Sequence, residues 1–408
     1  MYDLIIIGSG ASSLFLSANL KNKKVLVLEK MERVGKKILV TGGGMCNITN
    51  VDTMKTFLSH VSNRNQMNFI KPAIMNFSNL DVQQWFIDMG LPVIVRDDGK
   101  VFPKSLKAQS VIDTLYSLSR QNGTEFKLNE EVMTIEKEHH FTVTSNKGTY
   151  QSTCVVLATG GMSYPQTGST GDGYALAKAL GHHIVPPTPA LTSLNIDNYQ
   201  MRELAGNAIR SCLIDFFHKG ENKRYREDLG DLLFTHTGVS GPVILNNSHS
   251  CLKGDTLFIS LIATKNKEIS KKELLSFIQN NPKKQVHKFL KEQGIITKLC
   301  DKLLDLGKID KQLTCGNLSK DKRKKLVTML LNFPLVVGSK KSFTTAMVTK
   351  GGLSLKDFNR KTLESQIVEG FYGTGEVLDI DGHTGGYNLT IAFSTAKLVC
   401  QSIQNKDK

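Results

Sequence analysis

Two glycines one residue apart, Gly8 and Gly10, follow the apolar run Leu4–Ile7, and the acid Glu29 stands 21 positions beyond Gly8. Glycine at these places permits a tight turn. It also lets backbone N–H groups approach a pyrophosphate at a helix N-terminus, where the helix dipole favours negative charge. A carboxylate at the tip of the next strand then accepts bonds from an adenosine ribose. Ser13 holds the third place of the fingerprint, where glycine or alanine is usual, which loosens helix–strand packing without removing a ligand contact. An acid on the ribose favours FAD or NAD over a 2′-phosphorylated cofactor.

A second constellation lies at the other end of the chain. Val368–Glu376 carries Gly373, Gly375 and Glu376, and is followed by Asp379, Asp381, Gly385, Gly386, Tyr387 and Asn388. A strand ending in glycine and an acid brings a carboxylate to a ribityl hydroxyl. A helix opening on Gly385-Gly386 can stabilise negative charge at the N1/O2 edge of a flavin. This return of the C-terminal segment to the cofactor selects FAD over NAD. A third stretch, Thr41–Asn50, is a glycine loop suited to lie along the pyrophosphate and ribityl chain, with Asn47 and Thr49 as its expected donors. Cys46 within it has no partner cysteine nearby and reads as a small buried filler rather than a redox thiol.

Hydride exchange at flavin N5 must be matched by a proton. The acid–base candidates are His236, His383, Tyr164 and Tyr387, with His236 ranked first; a structural histidine and a solvent-supplied proton are the competing readings.

The elements needed to position these residues are visible as periodicities. Leu4–Ile7 and Val25–Leu28 are continuous apolar β-branched runs, as interior parallel strands require, and Leu14–Leu20 between them reads as helix. Val132–Ile135 and Phe141–Ser145 alternate as a hairpin, and Cys154–Ala158 returns as a buried strand. The Pro186–Pro189 stretch breaks the pattern and places a boundary there. Strand-like runs then predominate up to Ala263, including Leu213–Phe217 and Thr256–Ile262, and a helical, lysine-rich stretch follows, with Lys322–Leu331 among its helices. The expected fold is α/β. A Rossmann-like FAD-binding domain (1–188 and 337–408) is interrupted by an insert at 189–336, β-rich over about 189–263 and helical over 264–336. The last expected helix is Leu389–Ser402.

The chain has 408 residues, 40% of them hydrophobic, and a formal net charge of +15. Between Lys265 and Lys341 there are 19 basic residues against seven acids, so most of the excess sits in the helical part of the insert. A solvated lysine-rich face is the plainer account, and a patch steering an anionic substrate or RNA is the sharper one. Seven cysteines without a CxxC pair give neither a disulfide framework nor a zinc site, so no metal is expected and a reducing cytoplasm is the expected location. Neither a leader nor a bilayer-spanning run of about 20 apolar residues is expected from the apolar pattern. A membrane partner is therefore not expected.

Several longer strings resemble those of the bacterial YhiN/BaiN/aminoacetone-oxidase-like flavoprotein family. They are Gly35–Ile38 with Thr41–Asn50, Val101–Pro103, Ala158–Gly161, Thr167–Gly173, Leu233–Pro242, Val348–Gly352 and Gly375–Asn388. The likeness spans essentially the whole chain. It implies FAD, a Rossmann-like domain and an insert with a β-rich and a helical part. Met45 stands where the family usually has arginine, and Ala396 where it usually has glycine.

Turns and resemblance together give an expected cofactor-binding set. From the N-terminal part it takes Gly8, Gly10, Ala11, Ser12, Ser13, Glu29, Lys30, Lys36, Lys37, Thr41, Gly42, Gly43, Asn47 and Thr49. To these it adds Val132, Ala158, Thr159, Gly160, Gly375, Glu376, Asp379, Gly386, Tyr387 and Asn388. His236, His383 and Tyr387 form the expected catalytic set. The expected activity is FAD-dependent hydride transfer between flavin N5 and a small organic substrate. By the resemblance, reduction of a conjugated C=C bond in an enone is favoured and amine oxidation comes next. NAD(P)H is the candidate transient donor, since no second GxGxxG unit is visible. Nucleic acid is the less favoured partner. An FAD-dependent RNA-modifying enzyme using the basic insert, and a non-catalytic flavin-binding regulator, are the alternatives.

Overall fold

The computed structural model describes residues 1–406 and divides into two units, Met1–Ala190 with Phe343–Lys408, and Leu191–Ser342. In the first unit, β1 (Tyr2–Ile7), α1 (Ala11–Asn19) and β2 (Val25–Glu29) form a βαβ crossover with β1 and β2 parallel. Leu4–Ile7 of β1 and Val25–Leu28 of β2 are apolar and buried on both faces, which is why they read as continuous hydrophobic runs. The antiparallel strands β3 (Thr49–Asn50), β4 (Val93–Val95) and β5 (Lys100–Pro103) make a small separate sheet in the order β3-β5-β4. Between β3 and β4 lie the helices α2 (Met54–Ser59), α3 (Arg64–Asn76) and α4 (Asn79–Asp88), and α5 (Ala108–Gln121) follows β5.

The main sheet is extended by β6 (Glu125–Leu128), by the hairpin β7 (Val132–Lys137) with β8 (Phe141–Ser145), and by β9 (Thr149–Leu157), in the order β6-β2-β1-β9-β8-β7. Helix α6 (Asp172–Ala179) and β10 (Ile184–Ala190) end this part of the unit. The Pro186–Pro189 stretch, read as a boundary, stands just before the division between the two units at Ala190 and Leu191. It lies within β10, in a two-stranded ribbon with a bulge between Val185 and Thr188. A strand with an open edge tolerates the N–H groups that proline lacks, and a central strand would not.

The second unit is a closed six-stranded barrel with helices. Its strands are β11 (Leu194–Asp197), β12 (Ala208–Phe217), β13 (Arg224–Phe234), β14 (Gly238–Ser240), β15 (Thr256–Ile259) and β16 (Phe333–Lys340). Helices α7 (Pro242–Asn247), α8 (Lys267–Asn280), α9 (Val286–Glu292), α10 (Thr297–Gly307) and α11 (Lys320–Leu331) interrupt the strand order. Barrel and helices share one core, in which Ile214, Leu257 and Val337 join Phe289, Leu303 and Leu330. The insert runs to Ser342 rather than 336 because β16 pairs with both β11 and β15 and closes the barrel. Phe333, Leu335 and Val337 point inward and Pro334 and Val336 outward, the period of two that a barrel wall demands.

The chain then re-enters the first unit through β17 (Val348–Leu353), which pairs with β10, and β18 (Phe371–Gly373). Strand β18 joins the main sheet parallel to β9 at Val155–Leu157, just beyond the stretch of β9 that pairs with β8. The long helix α12 (Tyr387–Asn405) lies against α1 and completes this core. Among the described residues no helix is long and apolar enough to cross a membrane.

Candidate functional site

Gly8 has φ +94°, and a Cβ placed on it would lie 2.7 Å from the Ala158 carbonyl oxygen. Only glycine allows this turn to press against the end of β9. The carboxylate of Glu29 closes the turn from the other side. Its Oε2 accepts from the Ser9 N–H at 2.8 Å and the Ser9 hydroxyl at 2.6 Å, and its Oε1 accepts from the Met31 N–H at 2.8 Å. Glu29 thus shapes the turn as well as standing at the tip of β2. The Glu29 and Met31 carbonyls accept from the Glu130 and Asn129 N–H groups, which ties the segment entering β7, with the buried Val132, to the same corner.

The C-terminal segment meets this corner directly. A Cβ on Gly375 would stand 2.8 Å from the Ser12 hydroxyl of α1, and the Thr374 N–H donates to Leu157. Lys37 donates to Glu376 at 2.6 Å and to Ser163 at 2.7 Å. Glu376 Oε1 also accepts from the Thr349 N–H and the Ser163 hydroxyl, each at 2.8 Å. Three distant segments are tied here by one carboxylate. Lys30 bonds Thr170 at 2.5 Å and Asp172 at 2.9 Å near the start of α6, while Lys36 pairs with the surface acid Glu32. A Cβ on Gly160 would be 3.2 Å from the Ser169 hydroxyl, so Ala158–Gly160 lies against the Gly168–Gly173 segment; Thr159 is likewise packed under Gly173.

Thr41–Asn50 wraps onto the start of α12. Gly42 and Gly43 have φ +55° and +66°, and Gly42 turns the chain against the Asn47 N–H. With its amide oriented to suit its neighbours, Asn47 donates to Thr49 O at 2.9 Å and Val101 O at 3.1 Å and accepts from the Gly386 N–H at 3.0 Å. The Thr49 hydroxyl lies 2.8 Å from that of Thr390, and Gly386 packs on the Thr49 backbone. These two side chains, expected to donate to a cofactor, are spent on holding the Gly385-Gly386 turn. Asn388 is used in the same way, bonding Gly382 through both its amide atoms. Cys46 is fully buried, and burial pushes its thiol up to about 12, as a filler requires.

Asp379 accepts from Gln66 at 3.2 Å and from the Gly351 N–H at 3.1 Å, and burial raises its carboxyl above the usual range. Asp381 shares the same Gln66 amide and accepts from the Ser62 hydroxyl. Tyr387, expected as a catalytic and cofactor residue, is buried and donates its hydroxyl to Asp52. Burial first, and that bond second, raise its pKa. Its ring packs against Phe57 and His60, at centroid distances of 5.1 and 4.7 Å. Its hydroxyl is thus engaged by Asp52 while its ring packs against His60. His383 Nδ1 lies 3.0 Å from His60 Nδ1. Tyr164 adopts a left-handed conformation and donates its N–H to Phe343. His236 is exposed in the turn between β13 and β14 of the second unit.

Sequence reasoning missed His60, Gln66 and Asp52, whose partners lie more than 300 positions away, and no local pattern marks them. It also missed Arg96. This guanidinium stacks 4.1 Å from the Phe102 ring and reaches the Met45 sulfur at 3.2 Å, so a cation stands beside Met45 although that position itself carries none.

The residues fit an FAD molecule. Helices α1 and α12 both begin at a glycine N-cap without a side-chain cap. The faces that Gly10 and Gly43 leave bare are open, with nothing nearer than 4.0 Å to a Cβ at Gly10 and nothing within 4 Å at Gly43. Uncapped N–H groups beside bare glycine backbone are what a pyrophosphate requires.

The fold and these turns define a dinucleotide-binding flavoprotein. The chain belongs to the HI0933-like family: its residues 2–402 match the HI0933-like protein Rossmann domain, which bears out the resemblance read from the motifs. It is 30% identical over 412 residues to the ribosomal RNA dihydrouridine synthase of Haemophilus influenzae, covering 98% of each chain. It is 28% identical over 405 residues to the 3-dehydro-bile acid delta(4,6)-reductase of Clostridium scindens, covering 96% of this chain and 97% of that one. The solved 3-ketosteroid-delta4-(5alpha)-dehydrogenase from Rhodococcus jostii shares the fold, with a TM-score of 0.53 at 15% identity over 98% of this chain and 96% of that one. The chain is an FAD-dependent oxidoreductase.

Proposed function

We propose that this protein saturates a carbon–carbon double bond conjugated to a carbonyl, and that its substrate is a uracil ring in RNA. FAD, when bound, supplies the hydride that such a reduction needs. The chain's own residues bind and orient. The α1 turn and Glu29 hold the adenosine end, Lys37 and Glu376 fix the distance between the two ends of the chain, and the Gly385-Gly386 turn presents the uncapped start of α12 to developing negative charge.

The chemistry is supported by what two relatives have in common. The ribosomal RNA dihydrouridine synthase and the 3-dehydro-bile acid delta(4,6)-reductase, by their names, both act on C=C bonds, in a uracil ring and in a 3-oxo bile acid, that are conjugated to a carbonyl. The observation that carries RNA over a small molecule is the charge of the second unit. Exposed Lys320 and Lys324 stand one turn apart on α11, and Lys271 and Lys272 are exposed on α8, which packs against it. This reading departs from the expectation of a small substrate. The bile-acid reductase relative favours a second reading, a free 3-oxo enone.

The deciding assay supplies the anaerobic holoenzyme and NADPH or NADH with ribosomal RNA, and in parallel with a 3-oxo-Δ4 steroid. A mass gain of two hydrogens on uridine is the expected outcome, with binding that weakens steeply with salt and a shallower salt slope for Lys320→Glu/Lys324→Glu. Steroid reduction without any change in uridine would replace RNA by the enone, and neither product would overturn the reductase reading.

A further inference from the structure

We infer that His60 and His383 act as one proton-holding unit at the cofactor face, and that this unit supplies the proton accompanying hydride addition; the inference rests on the reductase reading above. The geometry comes from a short antiparallel bridge between Val61 and Gly382. The His383 N–H donates to His60 O at 2.9 Å and the Ser62 N–H donates to Asp381 O at 3.0 Å, which sets the two imidazoles side by side. Their Nδ1 atoms are 3.0 Å apart and their ring centroids 5.0 Å.

Two ring nitrogens at that distance share a single proton: one Nδ1–H donates and the other Nδ1 accepts. The neutral pair therefore holds opposite tautomers, with a lone pair on one Nε2 and a proton on the other. A second extra proton would set two N–H groups head to head and break the contact. The neutral pair can take up one proton and give that proton back while staying in place. That is the behaviour needed of a donor which is reloaded on every turnover.

Its surroundings fix the rings. Tyr387 packs against His60 and Phe57 and is anchored by Asp52. Asp381 is engaged by Ser62 and Gln66, and Asp379 by Gln66 and the Gly351 N–H. His383 stands three residues before Gly386, the N-cap of α12, whose N–H is taken by Asn47 of the glycine loop. The pair thus sits at the junction of two segments assigned to the cofactor.

The balance is simple. A hydride from the reduced cofactor, carrying two electrons, forms one C–H bond as the C=C π bond breaks. A proton from the histidine pair forms the other, and the pair regains its proton from water. A nicotinamide-class donor restores the cofactor.

The test uses holoenzyme of the wild type, His60→Asn, His383→Asn and the double variant. Each single substitution should lower the rate at which substrate reoxidises the reduced enzyme by about 10²-fold or more. The double should be no slower than the worse single, as groups acting as a unit require. FAD affinity should stay within about twofold and the pH profile of the rate should change. In ¹⁵N-histidine NMR spectra the wild type should show one proton coupled to two Nδ1 nuclei, absent from both single variants. Losses that multiply, FAD affinity falling in step with rate, or an unchanged rate and profile in either single variant would overturn the inference. If neither RNA nor enone is reduced, the reductase reading fails and the pair is judged separately. The shared NMR proton, and a flavin potential that depends less on pH in the variants than in the wild type, support it; absence of either sinks it.

Discussion

Lys37 and Glu376 are separated by 339 positions in the chain, and their charged groups meet at 2.6 Å. The ion pair joins the helical turn after the dinucleotide fingerprint to the segment that follows β18. It also collects Ser163 and the Thr349 N–H, so the Glu376 carboxylate ties its own segment to three distant ones.

Removing this carboxylate's charge should loosen cofactor binding more than folding. The two side chains are 20% and 21% exposed, so solvent discounts the pair to about 1–2 kcal/mol. Glu376→Gln is expected to raise the FAD dissociation constant about tenfold, as each 1.4 kcal/mol does. Flavin fluorescence on dilution measures it, and an unchanged constant would contradict this role.

Glycines in the two turns should respond unequally to alanine. At Gly8 the new Cβ meets a backbone oxygen at 2.7 Å and a φ of +94°, so Gly8→Ala should cost at least about 3 kcal/mol and yield protein poor in flavin. At Gly43 the Cβ meets nothing within 4 Å, leaving only left-handed strain of about 1 kcal/mol. Thermal melts and flavin content of the two variants decide the matter.

Asp379 gives the fold a pH dependence of definite sign. Burial raises its carboxyl in the folded chain, so the folded state holds that proton more tightly than the unfolded state. The resulting stability is complete below the unfolded value of about 3.9 and is lost as pH rises through the folded value. In the apo-protein, Asp379→Asn should therefore flatten the decline of Tm from about pH 4 upward. Superimposable profiles would show that Asp379 does not contribute.

Barrel closure offers a test of the second unit. Leu335 is 3% exposed and points inward from β16. Leu335→Ala should destabilise by about 2–5 kcal/mol, while a change at the exposed Val336 should cost little. Chemical denaturation of the two variants would separate them.

Much of the first unit can be read from the chain because its signals are local. The Gly8–Glu29 unit carries its strand, turn, helix and acid within thirty residues, and Gly385-Gly386 announces the start of α12 in the same way. Strand β16 was hidden because it follows directly on the lysine-rich helix α11, and its period of two is only five residues long. The prolines of β10 mask a strand whose partner, β17, lies some 160 positions later. The site divides along the same line. Backbone roles of glycine were legible, whereas the side-chain roles of Thr49, Asn47 and Tyr387 were not, because each depends on a partner supplied by a distant segment.

The way β9 is shared between two neighbours also bears on how the chain is made. Its first residues find β8 immediately, but Val155–Leu157 wait for Phe371–Gly373. At translation rates of about 5–20 residues per second, that gap lasts on the order of 10–40 s. Throughout it a nascent chain bears an unpaired, wholly apolar sheet edge while the entire barrel is being synthesised. Such an edge is a template for wrong pairing, so newly made chains should depend on chaperones until β18 has been synthesised.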